Sequence, residues 1–185
     1  CGQNRHCRPC RRAVKAAYLA VPKGAKVIGM GIDAPLFWVA DGSRAVDNYL
    51  RQVIHGRGAE NVGGTVQQVN SLRGACLVQG MLAGVLSRQH TRGVPIGESH
   101  PKAMLWLLWY DPARIRLPDL ASEFTLPQDW HQVDDEDHLR DAALACLNAW
   151  AMVHERDDWE DISIRDHGEK FSLIMLALGY WMPRV

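Results

Sequence analysis

Apolar positions recur at helical spacing in several stretches of the chain and bunch into short continuous runs in others. Val14, Ala17, Tyr18 and Val21 share one face of residues 10–21, and Pro22-Lys23-Gly24 stops that helix. KVIGMGID (26–33) is instead a continuous apolar run closed by Asp33-Ala34-Pro35, the form of a buried strand in an α/β sheet. Asp33 thereby falls at the C-terminal end of a strand. After a loop over 37–42, Ser43 is placed to cap a helix whose Val46, Tyr49, Leu50 and Val53 lie on one face. Asp47 and Arg51 stand i,i+4 and are expected to pair, and Gly56 ends the helix. Residues 56–64 (GRGAENVGG) read as a loop whose glycines match neither a Walker loop nor GxGxxG. From Thr65 to about residue 89 the spacing of Val66, Val69, Cys76, Leu77, Val85 and Leu86 predicts one long helix despite Gly74, Gly80 and Gly84. Residues 94–98 (VPIGE) read as a second strand, and Pro101 opens a helix through AMLWLLW (103–109). The proline-punctuated stretch 111–130 reads as loop. Residues 134–155 carry the clearest helical pattern, with four acids in the first turns, where the helix dipole favours negative charge. In 156–185 an acidic stretch gives way to FSLIMLALGYWM, which is compatible with helix or strand. The whole reads as one domain over 1–185: a basic helical segment (1–25), a core (26–155) and a C-terminal extension (156–185).

Composition changes this picture little. At 47% hydrophobic and 23% charged residues the chain is an ordinary globular one, which excludes disordered, collagenous and disulfide-scaffold classes. No apolar run reaches the roughly 18 residues of a spanning helix, and the chain starts without the apolar stretch of a signal peptide, so no membrane partner is expected. Five cysteines without even spacing argue for a reducing compartment, taken as the cytoplasm. Cys7-x-x-Cys10, with Cys1 and His6 nearby, has zinc-ligand chemistry, but without a second CxxC zinc is not the expectation. Cys76 and Cys146 each fall alone in helical patterns and read as small buried thiols.

Charge adds more. The 21 basic and 21 acidic side chains cancel, giving no overall argument for nucleic acid. Their distribution is polar, however: residues 1–26 carry seven bases and no acid, whereas 119–169 hold fifteen acids and three bases. Either these are solvated faces, or a phosphate-contacting arm accompanies an acidic, metal-binding end.

Three carboxylates stand out by position: Asp33 and Glu98 at two strand ends, and Asp141 on the late helix. Each alone has a structural explanation, since acids occupy strand-end turns and helix starts. Together, two acids at the C-terminal edge of an α/β sheet and one from a flanking helix form an oxygen-ligand set for Mg²⁺ or Mn²⁺. Ala142, Ala145 and Ala149 form a stripe of small side chains that lets this helix approach a sheet, with His138 and Asp141 beside it. His138 either assists a metal-bound water or pairs locally with Asp141 or Asp135. Among the seven tryptophans, Trp106 and Trp109 stand i,i+3 in an apolar helix and read as core, whereas Trp38, just after Asp33, is the candidate for stacking on a ligand.

The segments IGMGIDAPL (28–36), RAVDNYLR (44–51), GESHPKA (97–103) and HLRDAALACLNAWA (138–151) resemble, in order and approximate spacing, the predicted nucleases grouped as domain of unknown function 429, in the RNase H-like superfamily. Their patterns are I-D-x-P, R-x-x-D-x-x-x-R, E-x-H-P-E and D-A-x-x-A-x-x-A. His138-x-x-Asp141-Ala142 is also similar to the last catalytic block of RuvC-type resolvases. The resemblance, over roughly 26–153, implies an RNase H-like mixed sheet flanked by helices and a two-metal phosphodiester hydrolase acting on DNA or RNA. Asp33, Glu98 and Asp141 then hold Mg²⁺ or Mn²⁺, Arg44 and Arg51 contact phosphate, and Asp47 and His100 support them. Two departures stand against it. Lys102 replaces the family's second Glu, and nothing before Lys26 supplies the family's opening acidic strand and hairpin. Either the chain, which begins with Cys1, is a fragment, or it is an impaired member that only binds.

Overall fold

The computed structural model describes residues 8–40, 42–67, 74–109, 136–167, 169–174 and 178–184. The reading of Cys1, His6 and Cys7 as zinc ligands, the loop 111–130, and Asp134 and Asp135 lie outside them. In chain order the elements are α1 (Arg8–Leu19), β1 (Met30–Ile32), β2 (Trp38–Val39), α2 (Ala45–Gly56), α3 (Val62–Thr65), α4 (Gly74–His90), β3 (Ile96–Glu98), α5 (Pro101–Trp109), α6 (Glu136–Val153), β4 (Trp159–Asp161), a 3₁₀ turn (Ile162–Arg165), β5 (Lys170–Phe171), β6 (Leu178–Gly179) and β7 (Trp181–Pro183). The architecture is mixed α/β.

Alternation within the strands decides how the layers stack. β1, β3 and β6 form a parallel sheet in that order, with Met30 opposite Ile96 and Gly97 opposite Gly179. Successive side chains point to opposite faces. Met30, Ile32 and Ile96 join Leu36 and Ile174 in one apolar cluster, on the side of α4, where Gly80 abuts Ala34 and Pro35 and Gly84 abuts Ile174. On the other side Gly31 lies against the backbone of α6, and a Cβ there would overlap the Ala145 carbonyl. The absence of a side chain at Gly31, with Ala145 and Ala149 opposite, lets α6 lie directly on the sheet. Ala142 does not belong to this stripe: it is exposed.

The larger core gathers Phe37, Val46, Leu50, Ile54, Met104, Leu105, Leu144, Leu147, Trp159, Ile162, Tyr180 and Met182 from α2, α5, α6 and the C-terminal strands, with Trp106 and Trp109 packed against it. The segment whose state the sequence pattern left open thus supplies a sheet strand, β6, the antiparallel pair of β4 with β7, and β5, which pairs antiparallel with β2. No helix among the described residues is long and apolar enough to cross a membrane.

Local expectations are corrected in five places. The loop after Asp33 contains β2, which places Trp38 opposite Phe171. Arg44, not Ser43, is the N-cap of α2, and the capping acceptor comes from far away: Asp166 takes the Ala45 N–H at 2.6 Å and the Val46 N–H at 3.2 Å. Asp47 pairs with Arg44 rather than Arg51, because Arg51 donates to the Val66 carbonyl at 2.7 Å and to Asn48. The long helix predicted from Thr65 is not continuous from there: Thr65 closes the short α3, whose cap is Asn61, Val66 and Gln67 are not helical, and α4 is described from Gly74. Cys76 and Cys146 are exposed rather than buried.

Candidate functional site

β1 and β3 end side by side, the Ser99 N–H donating to the Ile32 carbonyl at 2.9 Å. The next residues, Asp33 after β1 and Ser99-His100 after β3, therefore emerge at the C-terminal edge of a parallel sheet, where α/β folds gather ligands. A cavity of about 230 Å³ opens there. Asp33, Glu98, His100, Lys102 and Asp141 line it, with Arg44 and Asp47 on its inner wall and Gly64, Thr65 and Gln67 closing another side.

The inner wall is a buried ion cluster. Arg44 is 2% exposed and has five N–H bonds to place. Nε and Nη2 donate to Asp47 at 3.0 and 2.6 Å, Nη2 and Nη1 donate to Glu98 at 2.7 and 2.9 Å, and Nη1 also donates to the Phe37 carbonyl at 3.3 Å. Glu98 Oε2 additionally accepts the Leu36 N–H at 2.8 Å, so both of its oxygens are engaged. Burial works against the Arg44 charge, but Glu98 and Asp47 more than offset it and the guanidinium stays protonated. Burial also pushes the Glu98 carboxyl up, while Arg44 pulls it back. Arg44 is consequently no substrate contact in this geometry. It ties the start of α2 to the end of β3. Glu98 is likewise the anchor of Arg44 and has no oxygen left without a donor.

Asp33 and Asp141 differ from this pair: Asp33 is exposed and Asp141 partly so. Asp33 is exposed, yet the surrounding protein and then Asp141 raise its carboxyl to about 6, against the opposing charges of Lys102 and His138. Asp141 is 15% exposed; burial raises it, and Arg140, 3.6 Å away, and Lys102 act in the other direction. Its Oδ1 is buried and, among the described residues, faces Arg140 as an ion pair without accepting a hydrogen bond. His100 caps the start of α5 with its carbonyl and presents an imidazole held neutral, with its basicity lowered to about 4 by burial and then by Arg44. Its buried Nδ1 has no hydrogen-bond partner in another residue.

Of the residues singled out from sequence, the cavity brings together Asp33, Arg44, Asp47, Glu98, His100 and Asp141. Trp38, Arg51 and His138 are not among its lining residues: Trp38 is held in β2, Arg51 by Val66, and His138 is exposed on α6, where its charge still reaches Asp33. Sequence reasoning missed Thr65 and Gln67, because their approach depends on where α3 folds, and it gave no part to Ser99 or Cys76. Lys102 was legible as an anomaly in its motif and not as a wall of a site.

Among the described residues no group of three or more His, Cys, Asp or Glu side chains could hold a metal ion. A closed cage is therefore not what these residues form, and with Glu98 engaged they do not fit two metals. Asp33 and Asp141 do fit the looser mode of Mg²⁺, which uses one or two carboxylates and completes its shell with water and substrate phosphate. The chain matches no protein-family model, no curated protein and no solved structure.

Proposed function

We propose that the cavity is the active site of a divalent-cation-dependent hydrolase of nucleic-acid phosphodiesters, on an RNase H-like frame akin to the nuclease family that the sequence resembles. The observation that carries this reading is the Asp33–Asp141 pair beside Lys102, at the C-terminal edge of parallel strands. Mg²⁺ or Mn²⁺ bound there supplies Lewis acidity and a nucleophilic water near neutral pH. The chain's part is to present two carboxylates at the cavity, with Glu98, Arg44 and Asp47 fixing the ends of β3 and α2 beside them. The neutral His100 imidazole offers hydrogen bonds without adding charge. Exposed Arg11, Arg12 and Lys15 on α1 supply a basic face for phosphates beyond the reacting one. Cys10, Cys76 and Cys146 form no disulfide among the described residues, in keeping with a reducing compartment, the cytoplasm.

A second reading is favoured by the engagement of Glu98: a binding module of the same frame that holds nucleic acid without cutting it. Incubating the purified chain with single- and double-stranded DNA and RNA, in Mg²⁺, Mn²⁺ or a chelator, separates the two. Cleavage that requires the metal and is lost in Asp33→Asn and Asp141→Asn establishes the hydrolase. Salt-sensitive binding with no cleavage under any of these conditions establishes the module.

A further inference from the structure

Lys102 lines the same cavity as Asp33 and Asp141, and its charge acts on both carboxyls. Among the described residues it makes neither a hydrogen bond nor an ion pair. Its ammonium therefore acts on the carboxylate pair through space without closing onto either carboxylate. The other cation of the lining, Arg44, has every N–H committed to Asp47, Glu98 and Phe37 and cannot serve a ligand. Lys102 also sits in the first turn of α5, where free backbone N–H groups and the helix dipole favour an anion.

Charge and size say what fits the cavity. Two cations and four carboxyls line the cavity, so it repels an anion until a divalent cation balances the excess. The volume, about 230 Å³, lies below the ~300–1,000 Å³ usual for pockets that enclose whole small molecules. It suits one phosphoryl group with its bridging atoms, leaving an attached base outside.

We propose that Lys102 is the phosphate-binding residue of the cavity, taking a non-bridging oxygen of a single phosphoryl group seated between its ammonium and the Asp33–Asp141 pair. The proposal rests on the cation reading for the order of binding, metal before phosphate, and on Lys102 alone for the contact.

The test titrates the full chain calorimetrically with inorganic phosphate and with a dinucleotide carrying one phosphodiester, each with Mn²⁺ and with chelator. Wild type, Lys102→Gln and Lys102→Arg are compared; Lys102 is exposed, so melting curves should superimpose. Wild type should bind phosphoryl more tightly with Mn²⁺ present. Losing a charge-assisted bond should weaken binding in Lys102→Gln by about tenfold or more, and Lys102→Arg should recover most of it. Mn²⁺ alone should bind Lys102→Gln at least as tightly as wild type, since a repelling cation is gone. Capture of phosphate alone marks a terminal phosphate as the ligand, and capture of the dinucleotide an internal one; both support the assignment. Affinity in Lys102→Gln within about twofold of wild type overturns it, as does a wild-type chain that binds neither probe with Mn²⁺. If Mn²⁺ never binds and phosphoryl affinity still depends on Lys102, the cation reading falls and the Lys102 assignment stands.

Discussion

Two classes of charged residue meet in the cavity, and they answer differently to substitution. Arg44 is buried with all donors engaged, so Arg44→Met leaves Glu98 and Asp47 buried without a counter-charge. Removing one partner of a buried pair costs about 3–5 kcal/mol, and urea unfolding should show a loss of that order. Arg44→Lys should recover little, because an ammonium cannot serve both carboxylates in the same fork geometry. Asp33 behaves in the opposite sense. Its carboxyl is raised to about 6 from 3.8, so it disfavours the fold when ionised; that cost grows as pH rises from 3.8 to 6 and is absent below. A divalent cation needs the ionised form. Cation affinity should therefore be full above pH 7 and fall as pH drops through 6, which Mn²⁺ titrations at pH 7.5 and 5 will check. Affinity unchanged between those pH values would remove Asp33 from the ligand set.

At the scale of elements, two contacts set the frame. Asp166 caps α2 from 120 residues away, receiving the Val46 N–H as well as that of Ala45. Asp166→Ala should cost about 0.5–2 kcal/mol, seen as a lower thermal midpoint. Gly31→Ala drives a methyl into the backbone of α6 at Ala145, which a side-chain rotation cannot relieve. The expected loss is about 1–3 kcal/mol in chemical denaturation, with Asp141 displaced from Asp33 because both contacts belong to the β1–α6 interface. These elements also show what was legible beforehand. The Met30–Ile32 part of KVIGMGID and the alanine-rich helix could be read because packing against a neighbouring layer imposes a local pattern, and Asp33 and Asp141 followed from them; residues 26–29 form no strand, and Ile28 is exposed. The Arg44–Glu98 pair, the Asp166 cap and the β6 strand were not legible, since each joins residues far apart in sequence and no local spacing encodes such a partner. The reading of Arg51 with Asp47 failed for that reason: i,i+4 proximity was outweighed by the tertiary fit of Arg44.

For the molecule as a whole, the basic start and the acidic later half of the chain fold into one α/β frame whose parallel sheet carries α4 on one face and α6 on the other. The long-range Arg44–Glu98 ion pair stands at the edge where Asp33 and Asp141 emerge, and the Asp166 cap holds the start of the helix that Arg44 opens. The central claim is that the Asp33–Asp141 pair exists to hold a divalent cation. Its most direct test is Mn²⁺ binding by the full chain at pH 7.5, followed by electron paramagnetic resonance of free Mn²⁺, in wild type, Asp33→Asn, Asp141→Asn and, as a control away from the cavity, Asp158→Asn, an exposed carboxylate paired with Arg156. Wild type and Asp158→Asn should bind one Mn²⁺ per chain with equal affinity, and each cavity variant should bind it about tenfold or more weakly while melting no earlier than wild type. A wild-type chain that leaves all Mn²⁺ free, or cavity variants that bind it as well as wild type does, would contradict the account.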